Sequence, residues 1–235
     1  MHCLSVIHGT DARTELFAPV VVDAGHSLDE WSFGWDAPPP RPLDSYDAVF
    51  VFGGAMHADQ DEHHPWLLAE TAWLADLLQT RKPVLGVCLG VQLLARAAGA
   101  AVWRLPDGPE IGWCGVELTE AGALDPVLGA MPPMFDALQW HHYTYGLPKG
   151  AVELARSPAC TQAFRLGEAC WGVQFHPEVT ASQLEGWMDD ADDPPPNPER
   201  LRAQTPVKIA RWNELGRGLC AAFLREAEGL LARAA

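Results

Sequence analysis

The 235-residue chain has no run approaching ~18 uninterrupted apolar residues, so no membrane-spanning helix is expected. Its first residues, Met-His-Cys-Leu-Ser-Val-Ile, enter a strand pattern without a basic segment or a cleavage site, so no secretory leader is expected. Basic runs are absent: 16 Lys and Arg stand against 31 Asp and Glu, a formal charge of −15. That balance excludes the phosphate neutralisation on which nucleic-acid binding depends, and an acidic membrane surface would repel the chain. The six cysteines (3, 88, 114, 160, 170 and 220) form no C-x-x-C pair. This argues against a zinc site and a disulfide framework and for a reducing cytoplasm. No phosphate-binding G-x-x-x-x-G-K-[ST] loop and no internal repeat occur.

What is present is an apolar content of 48%, enough for one large α/β domain. Ten Trp read as core and pocket lining. Apolar strand patterns at Cys3–Ile7, Ser27–Phe33, Asp47–Phe52 and Val84–Val87 alternate with helical patterns at 13–24, Trp66–Thr80 and the stretch after Cys88. Between residues 10 and 26, Val20-Val21-Val22 has strand propensity. The spacing of Leu16, Phe17, Val20, Val21 and Ala24, with Gly25 as C-cap, predicts a helix instead. Strands follow at Ala101–Leu105 and Gly112–Leu118. Val152–Arg156, Thr161–Arg165 and Cys170–Phe175 read as three short antiparallel or edge strands. Helical patterns recur at 181–190 and 206–233.

The fold class expected is α/β: a doubly wound, mostly parallel sheet with helices on both faces and a few antiparallel edge strands. Residues 1–190 form the expected main domain. An acidic Pro-rich loop is expected at 191–205, and a C-terminal helix at 206–235 packed on the same domain. The polar loop 55–65 carries His57, Asp59, Asp61, His63 and His64. It lacks tight ligand spacing and reads as a solvated lead-in to a helix, so no metal site is expected there.

The chemistry gathers around residues 83–94. An apolar strand runs into Cys88, flanked by Gly86 and Gly90, and a helical pattern starts at once. This is the cysteine counterpart of a nucleophile elbow, with glycines where the turn is too crowded for Cβ atoms. A cysteine at a helix N-terminus gains thiolate character from unpaired N–H groups. It needs a base and an orienting carboxylate, which His176 and Glu178 supply across the stiff Pro177. The Leu89 N–H and a backbone N–H at Gly53-Gly54, with Gly54 preferred, are the candidate oxyanion donors. All three stretches follow strands, so a parallel sheet would deliver them to one edge.

Phe-Gly-Gly-Ala-Met at 52–56, Gly-Val-Cys-Leu-Gly-Val-Gln at 86–92 and Gly-Val-Gln-Phe-His-Pro-Glu at 172–178 resemble the class I, triad-type glutamine amidotransferase family. The likeness is greatest to the stand-alone branch similar to the amidotransferase subunit of GMP synthase. Pro65-Trp66-Leu67, Glu110-Ile111-Gly112-Trp113 and Gln162-Ala163-Phe164 add to it. The resemblance implies a flavodoxin-like fold and a γ-glutamyl thioester on Cys88, with His176 as acid and base and Glu178 as its orienter. It implies substrate contacts at Gly53, Gln92, Trp140 and His141, and no cofactor. The branch often has Gly-Asp after that histidine; here His142-Tyr143 stands instead, which bears on which γ-glutamyl compound is accepted.

Two active readings follow. One is an amidotransferase that passes ammonia to a synthetase on a separate polypeptide. The other is a stand-alone hydrolase of a γ-glutamyl peptide or amine. A third, a non-catalytic binding module, runs against the intact Cys88, His176 and Glu178.

Overall fold

Phe50 and Phe52 point to one side of a strand and Val49 and Val51 to the other, and all four are fully buried. A strand with two apolar faces needs a cover on each, and the architecture supplies both. The computed structural model describes residues 1–10, 12–190 and 194–234. In chain order these run β1 (His2–Val6), α1 (Phe17–Asp23), β2 (Ser27–Trp31), β3 (Ala48–Val51), α2 (Trp66–Thr80) and β4 (Val84–Val87). Then come α3 (Leu89–Ala97), β5 (Val102–Arg104), β6 (Glu110–Leu118), α4 (Glu120–Ala123), β7 (Met134–His141) and β8 (Tyr143–Tyr145). β9 (Ala151–Arg156), β10 (Thr161–Leu166), β11 (Cys170–Val173), α5 (Ala181–Met188) and α6 (Pro198–Ala234) complete the chain.

The main sheet has the order β2-β1-β3-β4-β11-β10-β9-β6-β7. β2 through β11 in that order are parallel, and the remaining junctions are antiparallel. β5 and β8 form a separate two-stranded ribbon. One core packs Phe50, Phe52, Leu85, Val87 and Trp171 under α1 and α6, through Phe17, Trp212, Leu219 and Phe223. The other packs Leu4, Val6, Val49, Val51 and Val84 under α2 and α3, through Leu67, Leu74, Val91 and Leu94. Alternation within each short apolar strand feeds both cores, which is the doubly wound arrangement. Among the described residues, no helix is long and apolar enough to cross a membrane.

Three local expectations change. The helix predicted over 13–24 is shorter, Phe17–Asp23, although Gly25 does take the left-handed conformation that ends it (φ 82°). Residues ahead of it are held by long-range bonds instead: the Thr14 hydroxyl donates to Glu30 at 2.6 Å and the Leu16 N–H to the Glu178 carbonyl at 3.1 Å. β11, expected at an edge or antiparallel, lies inside the sheet and parallel to β4; only its other neighbour, β10, is antiparallel.

The C-terminal helix begins at Pro198 rather than 206, so the loop expected at 191–205 ends before it, and 191–193 lie outside the described residues. The Asn197 side chain caps the helix by accepting the Arg200 N–H at 3.0 Å, with Pro198 next to it at the first helical position. Leu201 and Thr205 are buried, and Thr205 accepts from the Trp113 indole at 3.2 Å. That packing carries the helix through Pro206, which sequence alone reads as a start.

Candidate active site

The parallel strands β1, β3, β4 and β11 are neighbours, so the residues after their carboxyl ends share one edge of the sheet. These are His8, Gly53-Gly54, Cys88 and His176. A cavity of about 420 Å³ opens there, lined among others by Gly54, Cys88, Leu89, Gln92, Trp140 and His176. This volume is in the range of small-molecule sites.

Cys88 sits at the turn from β4 to α3 with φ 54° and ψ −107°, a conformation that non-glycine residues seldom adopt. The turn closes because its flanks lack side chains. A Cβ on Gly90 would lie 2.0 Å from the Val51 carbonyl oxygen, and one on Gly86 would lie 2.7 Å from the backbone of Gly90. The thiol is almost buried and approaches the Trp140 carbonyl at 3.7 Å. The Leu89 N–H opens α3, where helix N–H groups lack intrahelical partners.

His176 and Glu178 are buried, 3% and 1% exposed. The imidazole Nδ1 and Glu178 Oε1 are 2.8 Å apart. The segment is held from three sides: the His176 N–H donates to Leu138, the Trp212 indole donates to the His176 carbonyl, and Trp187 meets the ring edge-on at 4.9 Å. Nε2 has no partner at hydrogen-bond geometry among the described residues. Burial alone would strip the proton from this imidazole. The charges of Glu178 and Cys88, with the Glu178 hydrogen bond, outweigh it and raise the group to about 10. Through neutral pH the ring is therefore held as a cation between two acidic partners.

An imidazole raised in this way contributes stability that is complete below its ordinary value of 6.5 and is lost as pH climbs through about 10. The expected result is a melting temperature that declines between those limits, with a shallower decline in Glu178→Gln. Ring NMR of the variant should place the His176 midpoint well below that of the parent. Equal midpoints in the two proteins would remove Glu178 as a cause.

Gly53 does not line the cavity. It lies under the imidazole, where a Cβ would meet His176 Cε1 at 3.1 Å. Gln92 is buried, and its amide N–H groups donate to the Tyr143 carbonyl at 3.0 Å and to Gln174 at 3.2 Å. His141 reaches the lining, yet both its ring nitrogens meet protein groups: the Tyr143 carbonyl at 2.8 Å and Glu110 at 3.1 Å. Trp140 lines the cavity and meets Trp187 edge-on at 5.5 Å.

In the 55–65 loop, Asp61 pairs with Arg96 at 2.7 Å and His57 stacks on Tyr143. Among the described residues, Glu110, His141 and Cys160 are the cluster whose donor atoms could meet one metal ion. Glu110 Oε2 already faces His141, Gln162, Ser157 and Cys160. Burial would raise Glu110, but the hydrogen bond and charge of His141, with Ser157 and Cys160, bring it below the ordinary carboxylate range. Burial pushes the Cys160 thiol up to about 12. A protonated thiol within a filled hydrogen-bond network describes a brace for His141 better than a metal centre.

One pair escaped the sequence analysis. His8 and Glu70 are both fully buried side chains, with His8 Nε2 3.0 Å from each carboxylate oxygen. His8 Nδ1 lies 3.1 Å from the carbonyl oxygens of both Phe52 and Gly53. Burial lowers His8, but the charge of Glu70 and the hydrogen bonds raise it further, so the ring is held protonated. In a trans peptide the carbonyl and the next N–H point opposite ways. Drawing the Gly53 carbonyl toward His8 thus aims the Gly54 N–H away from it. The available signal was an acid on the apolar stripe of α2, where Leu67, Glu70, Leu74 and Leu77 are all buried.

Known proteins share this arrangement of strands. The family model of class-I glutamine amidotransferases matches residues 20–188. The chain is 29% identical over 215 residues to the glutamine amidotransferase-like protein YfeJ of Salmonella typhimurium, covering 88% of this chain and 89% of YfeJ. It is 31% identical over 160 residues to the gamma-glutamyl-L-1-hydroxyisopropylamide hydrolase of a Pseudomonas species, covering 64% of this chain and 53% of that one. Over 187 residues it is 34% identical to a GMP synthase (glutamine-hydrolyzing) of Shewanella amazonensis, covering 76% of this chain but 34% of that one. A solved glutamine amidotransferase from Thermotoga maritima superimposes with a TM-score of 0.86 at 28% identity, over 97% of this chain and 98% of that one.

Proposed function

The chain belongs to the class-I glutamine amidotransferase family, and from that premise we propose that it hydrolyses a γ-glutamyl amide through a thioester on Cys88. The observation that carries the reading is the convergence of Cys88 and His176 from two strand ends on one cavity, with Glu178 2.8 Å from the imidazole Nδ1. The thiolate attacks the side-chain carbonyl carbon, and the oxygen takes the negative charge facing the N–H groups of Gly54 and Leu89. The tetrahedral adduct collapses as His176 gives its proton to the departing nitrogen, which leaves as ammonia or an amine. His176 then takes a proton from water, whose oxygen attacks the thioester, and glutamate leaves as the thiol is restored. Glu178 holds the imidazole in register throughout.

Trp140 shapes the wall beside the thiol. Gln92 and His141 act on the substrate indirectly, because their nitrogens hold the Tyr143 carbonyl and with it the cavity's outer wall. Gly53 acts as a spacer that lets the imidazole lie over the strand end.

A stand-alone hydrolase is favoured over a synthetase-dependent subunit because the rings of His57, His142 and Tyr143 line the cavity and offer a surface for a substituted amine. Likeness to a Pseudomonas gamma-glutamyl amide hydrolase supports the same choice. The deciding experiment assays the purified protein by itself on glutamine and on a panel of γ-glutamyl amines and peptides, with glutamate as the common product. Unaided turnover of at least one substituted amide is expected. Turnover that appears only after a synthetase is added would make the chain an amidotransferase subunit, and none in either case would leave a binding module.

A further inference from the structure

The two-stranded ribbon β5–β8 stands outside the main sheet, at the mouth of the cavity. Its register pairs Arg104 directly with Tyr143. Residues directly opposite across an antiparallel pair project on the same face, so the guanidinium and the phenol ring extend together. Both line the cavity that contains Cys88. The ribbon is tied to the site, because the Tyr143 carbonyl accepts from Gln92 and meets His141 Nδ1. Tyr143 itself lies flat on His57, with ring centroids 4.1 Å apart and planes 20° apart, and His142 is beside them.

Arg104 is the one Lys or Arg among the described lining residues, and it is exposed. It has no ion pair and no side-chain hydrogen bond to any described residue. In a chain with 31 acids and 16 bases, a guanidinium has ample choice of carboxylates. Arg13, Arg96 and Arg165 all pair with one. Arg104 instead faces the cavity that holds Cys88.

We propose that Arg104, beside the Tyr143–His57 stack, is the carboxylate anchor of this cavity and selects the γ-glutamyl compound that binds. The proposal rests on the γ-glutamyl hydrolase reading above. A planar guanidinium grips a carboxylate with two parallel hydrogen bonds, which a lysine cannot reproduce. The carboxylate has two sources: the α-carboxylate that γ-glutamyl groups carry, or one on the leaving amine, as in a γ-glutamyl amino acid.

Three chromogenic amides separate them: γ-glutamyl 4-nitroanilide, its 3-carboxy-4-nitroanilide counterpart, and the 4-nitroanilide whose α-carboxylate is converted to an amide. Arg104→Gln is expected to raise KM about tenfold or more for every substrate carrying the recognised group, with kcat within about twofold. Arg104→Lys should recover only part of the loss. A rise for both anilides that keep the α-carboxylate, and not for the third, assigns Arg104 to that group. A rise confined to the carboxylated anilide assigns it to the leaving group. Unchanged KM for all three overturns the proposal.

If the parent protein cleaves none of the three, the hydrolase reading is what fails on this panel. The anchor is then read by calorimetric titration with glutarate and with glutarate monoamide. Equal affinity of parent and Arg104→Gln for both would overturn it, and weaker binding to the variant would support it.

Discussion

Cys88→Ala is expected to abolish glutamate release from every γ-glutamyl amide the parent cleaves, a loss of roughly 10⁶-fold when a nucleophile is removed from a coupled catalytic unit. The expectation follows from the covalent step: without sulfur there is no thioester, and water has no activated path to the amide. The substitution is small and leaves the buried elbow in place, so circular dichroism and melting temperature should stay close to those of the parent. Because the residues act as a unit, adding His176→Ala to the variant should cost little more. In the parent, a γ-glutamyl chloroketone should label Cys88 before any of the other five cysteines. Retained turnover in Cys88→Ala, or labelling first elsewhere, would remove Cys88 from the mechanism.

Glu70→Ala is expected to have the largest effect on stability. It leaves the fully buried, protonated His8 without a counter-charge, and breaking a buried pair in this way costs about 3–5 kcal/mol. For a chain of this size that is a fall in melting temperature on the order of 10 °C. The double variant His8→Leu/Glu70→Leu removes both charges and should be markedly more stable than Glu70→Ala, since a buried pair contributes little net stability.

The same pair anchors the carbonyls of Phe52 and Gly53, so activity and stability should separate. The double variant keeps the fold but releases the Gly54 N–H from its aim, and its kcat should fall about 10²-fold with KM little changed. Denaturant melts of the parent, Glu70→Ala and the double variant, with kcat and KM for each, check both statements. A double variant with parental kcat would reduce the pair to a packing feature.

The legible parts of this protein share a physical property: their meaning is contained in a few adjacent residues. A strand that ends in Gly-Val-Cys-Leu-Gly can turn only if both flanks lack a Cβ, and the 2.0 Å approach of Gly90 to Val51 shows how little room there is. His-Pro-Glu brings its own stiffness, and the 2.8 Å contact between His176 and Glu178 needs no other element. Trp66–Thr80 announces itself by period, and α2 keeps those bounds. Where competing local signals were close, long-range contacts decided. Pro206 reads as a helix start, but burial of Leu201 and the Asn197 cap extend α6 back to Pro198.

By itself, then, the sequence determined the α/β class, the strand–turn–helix at Cys88 and the set of reactive groups, because propensity, steric demand and ionisable chemistry reside in local residue order. Tertiary structure alone decided that β11 runs beside β4, which brings His176 to the thiol's edge of the sheet. It decided that His8 reaches Glu70, and that Arg104 faces the cavity opposite Tyr143. Each of these is a meeting of side chains tens of residues apart. Such meetings are set by the order in which strands pair and by which faces remain to be covered, and no local pattern carries that information.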